Sequence, residues 1–577
     1  MPPPAPRTNH RPLLLAATFL FSLLLLLRLS FLSAHKASTG HRARVLLADG
    51  GDAEHAPAVD RHCAGTLHRD VCVSTLATIP NLAQKPLRDV ISEVVGRAAS
   101  AVRASSANCS SYLQRSQQLR VRDRLALSDC LELFGHTLDQ LGTAAAELSA
   151  GNRSAEESIA GVQTVLSAAM TNQYTCLEGF AGPSASEDGR VRPYIQGRIY
   201  HVAHLVSNSL AMVRRLPQQR RGRGRGLRSK EPLEGYGRVR RGFPSWVSGS
   251  DRRRLQQQVA PAANVVVAKD GSGNFTTVSE AVAAAPNNSE TRYVIYIKAG
   301  GYFENVEVGS EKTNIMFVGD GMWRTVIKAS RNVVDNSTTF RSATLAVGGG
   351  TGFLARDITV ENAAGPSKHQ AVALRVNADL SAFYRCSFAG YQDTLYAHSL
   401  RQFYRDCDIY GTVDFIFGDA AVVLQNCNLY ARRPDPNQKN VFTAQGREDP
   451  NQNTGIAVQG CKVAAAADLL PVQANFSSYL GRPWKTYSRT VFMLSKIESL
   501  IHPRGWLEWN GSFALDTLYY AEYMNRGPGA DTSARVSWPG YHVLTNASDA
   551  ANFTVLSFVQ GDLWLNSSSF PYILGLS

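Results

Sequence analysis

The stretch "CSFAGYQDTLYAHSLRQFYRDCDIYGTVDF", Cys386 to Phe415, holds two cysteines 21 residues apart and two aspartates, Asp393 and Asp414, with the same separation. Each Asp follows its Cys by seven residues. A repeated offset of this kind marks one structural unit used twice. Outward from it, "FYRCSFAG", "FYRDCDIYG", "LQNCNLYAR" and "VQGCKVAA" align and place Cys386, Cys407, Cys427 and Cys461 in one slot, at intervals of 21, 20 and 34 residues. A period near ~20 with two or three short strands per repeat is that of a parallel β-helix, whose coils bury their apolar faces only by stacking. The longer last interval predicts an insertion, placed at "RRPDPNQKN". Short strands rich in Val, Ile, Tyr and Phe begin at Val265, with "VVVA", "RYVIYIKAG" and "NIMFVG", and extend the all-β reading over residues 260–577.

Equivalent positions on adjacent coils lie about 4.8 Å apart, inside the Cα range a disulfide tolerates. The spacing therefore predicts disulfides Cys386–Cys407 and Cys427–Cys461. It also puts Asp393 beside Asp414. Two carboxylates that close cannot both ionise cheaply, so one becomes an acid and the other a base or nucleophile. Gln370 lies 22 residues before Gln392, again about one coil, and two neutral amide donors flanking the acids would suit the oxyanion of an acyl transfer. In "YLGRPWKTYSRT", Arg482 could hold an Asp by a bidentate pair, and Trp484 offers a flat face for a sugar ring. Taken singly, Gln370, Gln392 and Arg482 read as a ladder that satisfies buried groups; together they read as a catalytic constellation. No G-x-S-x-G, H-E-x-x-H or Cys-x-x-Cys element competes with it, no metal or cofactor is called for, and "VGGGTGF" reads as a turn.

Residues 60–215 switch to helical periodicity in four segments, from "LRDVISEVVGRAASAVRAS" to "YIQGRIYHVAHLVSNSLAMVRRL", which predicts an all-α four-helix bundle without catalytic pairs. Cys63 with Cys72, and Cys130 with Cys176, are the candidate staples there, and Cys109 is left over from the nine cysteines. The chain's net charge of +13 is concentrated in the linker: Arg214 to Arg254 carry 14 Lys and Arg against 3 Asp and Glu, while Gln256 onward carries 26 against 27. The basicity thus says little about what the β unit binds, and a nucleic-acid partner is excluded for an exported chain. Export is read from the apolar run Leu13 to Leu27 behind Arg7 and Arg11, a signal peptide or signal anchor within residues 1–34. Ten N-x-[ST] sequons agree, among them Asn274, Asn336, Asn475 and Asn510.

The β unit resembles the plant pectin methylesterases over nearly all of residues 260–577: "GGYFE", "QAVAL", "GYQDTLY", "GTVDFIFG", "LGRPWK" and the tail "TLYYAEYMNRGPGADTSARVSWPGYHV" match in order. The helical unit is similar to that family's inhibitor-like pro-region through "ALSDCLELF" and "AMTNQYTCLEGF". The resemblance implies a right-handed parallel β-helix that hydrolyses methyl esters of cell-wall galacturonan without a cofactor. It implies Asp414 as nucleophile, Asp393 as acid and then base, Gln370 and Gln392 as the oxyanion hole, Arg482 as the holder of Asp414, and Arg482, Trp484 and Thr339 as contacts to pectin. It further implies a secreted, monomeric enzyme of the cell wall, proteinaceous inhibitors as partners, and removal of the pro-region by a subtilisin-like protease. The linker, residues 216–255, departs from the usual basic doublet followed by two leucines: it has Arg252, Arg253 and Arg254 before Leu255 and Gln256. The rival readings are a polygalacturonase or lyase on the same polymer, or an inactive β-helix whose helical unit acts as an inhibitor. A glycosidase wants its carboxylates far enough apart to admit water, and the intact Asp393, Asp414 and Arg482 speak against an inactive enzyme.

Overall fold

A computed structural model describes residues 55–116, 119–150, 155–181, 191–217 and 263–576. The apolar N-terminal run and the basic linker with Arg252, Arg253 and Arg254 lie outside the described residues. The chain divides into two compact units. The smaller contains helix α1 (His55–Cys63) and residues 73–85. The larger contains residues 65–72 and everything from Pro86 onward.

Helix α2 spans Arg69–Leu76; within the larger unit, α3 (Leu87–Arg115), α4 (Val121–Ser149), α5 (Ala155–Glu178) and α6 (Val191–Val213) form the expected bundle. Cys130 and Cys176 are bridged and tie α4 to α5; Cys63 and Cys72 are each engaged in a disulfide, and Cys109 is free and buried, as anticipated. A polar layer is buried in the bundle: Asn172 donates to Thr137 (3.1 Å) and Gln140 (2.9 Å), and Gln173 donates to Thr137 (3.0 Å). From Leu166 to Gln173 every residue of α5 is buried. A helix buried all round needs a second surface to pack on, and α5 finds it on the β-helix.

The β-helix is built from 26 strands in parallel sheets of 11, 8 and 7 strands, the central coils contributing one short strand to each and the end coils fewer. One coil runs Ser381–Tyr384, Ser387–Ala389, Leu395–Ala397; the next runs Arg401–Arg405, Asp408–Gly411, Ile416–Gly418. Corners are tight because residues such as Asp357, Arg385, Asp406 and Asn426 adopt left-handed backbone at φ 60°, 51°, 52° and 55°, single residues that reverse direction without a loop. Inside, Phe317, Phe353, Phe383 and Tyr404 form a chain of ring contacts with centroids 5.2, 5.8 and 4.8 Å apart, edge-on, tilted and stacked in turn. Outside, the C-terminal segment lays Phe553, Phe558, Trp564 and Phe570 on the 11-stranded sheet. The long interval before Cys461 is divided between two loops, residues 432–439 and 446–454, so the insertion is only half accounted for by "RRPDPNQKN".

The cysteine column is in register, since Ser387, Asp408, Asn428 and Lys462 pair directly behind the four cysteines. The predicted disulfides are nevertheless corrected: Cys386, Cys407, Cys427 and Cys461 are all free and buried. Stacked residues project in parallel, so their Cβ atoms keep the ~4.8 Å strand spacing, whereas a disulfide draws Cβ atoms to about 3.8 Å. Three of the thiols instead donate to carbonyls of the preceding coil, Cys407 to Phe383 (3.6 Å), Cys427 to Tyr404 (3.5 Å) and Cys461 to Leu424 (3.4 Å), while Cys386 donates to Tyr384 of its own coil (3.5 Å).

Candidate active site

The seven-stranded sheet carries the site. Leu374, Leu395 and Ile416 stand opposite one another on adjacent strands, so Asp393 and Asp414, each two residues before its strand, occupy equivalent corners one coil apart. Both have left-handed backbone, φ 64° and 51°, a conformation Asp tolerates better than most residues but that still costs energy. The ladder around them holds it: the Asp393 amide donates to Val413 (3.0 Å) and Leu395 to Phe415 (2.8 Å). The same register shifts the glutamines by one. Gln392 lies opposite Ala371, whose amide donates to its carbonyl (3.2 Å), rather than opposite Gln370, because the coil here is 21 residues and the Gln spacing 22. Both glutamines still face the cavity that the aspartates line.

Arg482 follows the strand Ser478–Gly481 and is anchored by its amide to Thr443 (3.0 Å). Its Nε donates to Asp414 Oδ1 (2.8 Å) and its Nη2 to Oδ2 (2.7 Å), a fork-to-fork pair. Its guanidinium also lies 4.4 Å from the centre of the Trp509 ring. Asp393 and Asp414 are 7% and 6% exposed. Burial, reinforced by the charge of Asp414, pushes Asp393 well above the ordinary carboxylate range, with Arg482 opposing. The two acids are thus chemically unequal, one held as a fork-bound carboxylate and one poised to keep a proton.

The cavity is about 300 Å³ and is also lined by Thr339, Tyr396, Phe417 and Trp484. Trp484 packs edge-on to Phe417 (5.9 Å) and over Gly446, where a Cβ would meet its ring at 2.8 Å; only glycine admits that approach. Every sequence-proposed catalytic or substrate-binding residue therefore reaches one space. Trp509, Phe417 and Tyr396 were missed. For Tyr396 and Phe417 the signal was available, because both sit on the strands that follow the two aspartates; Trp509, in "GWLEWNGS", arrives from a distant loop and had none.

The remaining wall is helical. Thr175, Glu178 and Gly179 of the bundle line the same cavity. Around it Arg341 pairs with Asp129 (2.5 Å) and Glu132 (2.8 Å), Arg375 with Glu132 (3.4 Å), and Lys485 with Glu178 (2.6 Å). Thr171 donates to Asp419 (2.7 Å), and Thr175 Oγ1 is 2.9 Å from His398 Nε2. The bundle is thus seated over the aspartates by α4 and α5.

The "Pectinesterase" family model matches residues 264–562. The chain belongs to the pectinesterase family. As a pectinesterase it is a carboxylic ester hydrolase, and the "Plant invertase/pectin methylesterase inhibitor" model matches its helical part, residues 57–212. It is 50% identical to pectinesterase 3 of Citrus sinensis over 542 residues, 93% of this chain and 92% of that one. It is 48% identical to pectinesterase/pectinesterase inhibitor 3 of Arabidopsis thaliana over 534 residues, 89% and 90% of the two chains. Among solved structures, pectin methylesterase from carrot is 62% identical and superimposes with a TM-score of 0.54 over 55% of this chain and 99% of that one.

Proposed function

We propose that this pectinesterase cleaves methyl esters of galacturonan by double displacement on Asp414 and Asp393, and that the uncut chain is held silent by its own bundle. A carboxylate oxygen of Asp414, oriented by Arg482, attacks the ester carbonyl, whose oxygen takes up the negative charge against the side-chain amides of Gln370 and Gln392. The tetrahedral intermediate collapses as Asp393 gives its proton to the departing methoxy oxygen, releasing methanol and leaving an acyl–Asp414 anhydride. Asp393, now a carboxylate, takes a proton from water, the hydroxide adds to the acyl carbon, and Asp414 leaves. The products are methanol and a galacturonate carboxyl. Thr339 and Trp484 border the polymer. The observation that carries this reading is the asymmetry of the pair: Arg482 forks onto Asp414 alone, while burial and Asp414's charge keep a proton on Asp393.

The autoinhibited state is supported by Glu178 and Thr175 lining the catalytic cavity. The remaining parts of the reading are export to the cell wall as a glycosylated monomer, and cutting at Arg252, Arg253 and Arg254 by a subtilisin-like protease. Asp414→Asn in the cut enzyme should reduce methanol release from pectin by several orders of magnitude at unchanged thermal stability; normal turnover would remove Asp414 as nucleophile. Gln392→Ala should cost roughly 10²-fold or more, and a loss under about threefold would return it to a structural role.

A further inference from the structure

Lys485 is a charged group that the reaction above does not use, and it lies beside the catalytic cavity. It follows Trp484 directly, its ammonium 5.2 Å from the centre of that ring. It borders a small space lined also by Thr175, Tyr396, Trp484 and Glu178, all four of which also line the catalytic cavity. The two spaces therefore adjoin, with Tyr396 and Trp484 as the walls they share on the β-helix side. Lys485 Nζ is 3.0 Å from Glu448, a neighbour within the β-helix, and 2.6 Å from Glu178 of the bundle. Two carboxylates on one ammonium hold it charged, well above its ordinary range.

Glu178 is in an unfavourable place for a helix. It is the last residue of α5, where the helix dipole already presents partial negative charge and a carboxylate costs energy. Its side chain is also largely withdrawn from water, at 27% exposure, which costs more. The contact that offsets both is Lys485. A carboxylate delivered into a polysaccharide groove, onto a lysine beside an aromatic platform, has the chemistry of an acidic sugar.

We propose that Lys485 is a carboxylate-binding subsite, the point at which the enzyme reads a galacturonate unit that has already lost its methyl group, and that Glu178 occupies it in the uncut chain as a stand-in for that carboxylate. The ammonium has three donors, and the observed pairs show that it takes a second carboxylate without releasing Glu448. A methyl ester carries no charge and cannot replace Glu178. The cleft thus distinguishes the two states of its polymer, with the uncharged ester at the aspartates and a free acid beyond Trp484. The enzyme then prefers esters that lie near an acid on the same chain, so each turnover creates the group recognised in a later one. This rests on the esterase reading.

The test uses the full chain after cutting within residues 216–255, assayed for methanol on highly methylated pectin and on the same pectin partly saponified by alkali, with KM expressed per ester. Wild type should show a KM about tenfold lower on the saponified pectin at low ionic strength, and the ratio should fall towards one in high salt. Lys485→Gln should bring the ratio to one at low salt, and Lys485→Arg, which keeps the charge, should restore most of it. Retention of the wild-type ratio by Lys485→Gln, equal KM increases on both pectins, or a wild-type ratio of one would each overturn the subsite. In the uncut chain, Glu178→Gln should raise activity at least tenfold over uncut wild type; no increase would overturn the stand-in. Absence of methanol from both pectins with the cut wild type would overturn the esterase reading together with the subsite, whereas methanol without discrimination removes the subsite alone.

Discussion

At the scale of single residues, the pair Arg482 and Asp414 matters through geometry as much as charge. Both oxygens of Asp414 are engaged by one planar fork, which leaves the carboxylate a single orientation relative to the glutamines. Lysine at 482 would preserve the charge but not the fork. Arg482→Lys should therefore lower kcat by roughly 10²-fold, the cost of a small misplacement of the attacking atom, with little change in folding. Single-turnover methanol release checks this, and near-normal kcat would mean that charge alone suffices. Asp393 makes a second prediction through its raised pKa. In the double displacement proposed above its proton is needed for methanol to leave, so the active form is present below its folded-state pKa and is lost as pH rises through it. The cut enzyme should show an alkaline limb well above the ordinary carboxylate range, because burial and Asp414 both push that proton on more firmly. A limb near pH ~4, where an unperturbed carboxyl titrates, would contradict the role of Asp393 as the acid.

At the scale of elements, the coil shows how a repeat can be legible while its chemistry is not. Spacing alone placed the four cysteines in one column, and the register confirms the column. Whether the sulfurs join depends on the direction of their Cβ vectors, which follows from parallel, not antiparallel, stacking. Alkylation after unfolding without reductant should label Cys109, Cys386, Cys407, Cys427 and Cys461 and spare Cys130 and Cys176; recovery of a Cys386–Cys407 peptide would show that the coils move closer than the register implies. The column is part of the apolar core, so Cys407→Ser should destabilise by about 1–3 kcal/mol through a poorly paired hydroxyl, measurable as a lowered urea midpoint. Helix α5 shows the converse. Its run of alanines and hydroxyl residues looks like an ordinary buried helix in sequence, yet Thr164, Thr171 and Thr175 reach Asn453, Asp419 and His398 outside the bundle.

For the whole molecule, docking of bundle on β-helix is an acid–base event as well as a steric one. Burial pushes Asp129 up to about 6 and Asp419 up to about 7. Raised carboxylates hold protons in the folded chain that the unfolded chain releases near pH ~4, so their stabilisation is complete below that pH and is lost as pH rises through about 6 to 7. His136 and His398 oppose them. Burial lowers both from 6.5, so the unfolded chain gains protons below that pH while the folded chain does not, and stability falls in acid. Between pH 8 and 6.5 the carboxylates act without that opposition. The thermal midpoint of the uncut chain should therefore rise as pH falls from about 8 to about 6.5 and then level off. A midpoint that climbs steadily with increasing pH would mean that the ion pairs of Arg341, Arg375 and Lys485 outweigh the buried acids.

Local repetition along the chain was enough to determine the β-helix and the neighbouring placement of Asp393 and Asp414. Coil length is a count of residues between corners, and register then copies any feature from one coil to the next. The same logic made the bundle readable from 3.6-residue periodicity, and brought Gln370 and Gln392 to the site with an error of only one residue in their alignment. What only the tertiary structure decided lies between segments far apart in sequence. Arg341 meets Asp129 and Glu132 across about two hundred residues, Trp509 reaches Arg482 from a separate loop, and Glu178 reaches Lys485. Such pairs carry no spacing signal, because the charge of each partner is equally well satisfied by water until the folded surfaces meet. The mating of bundle and cleft, and hence the silence proposed for the uncut chain, is written in those contacts.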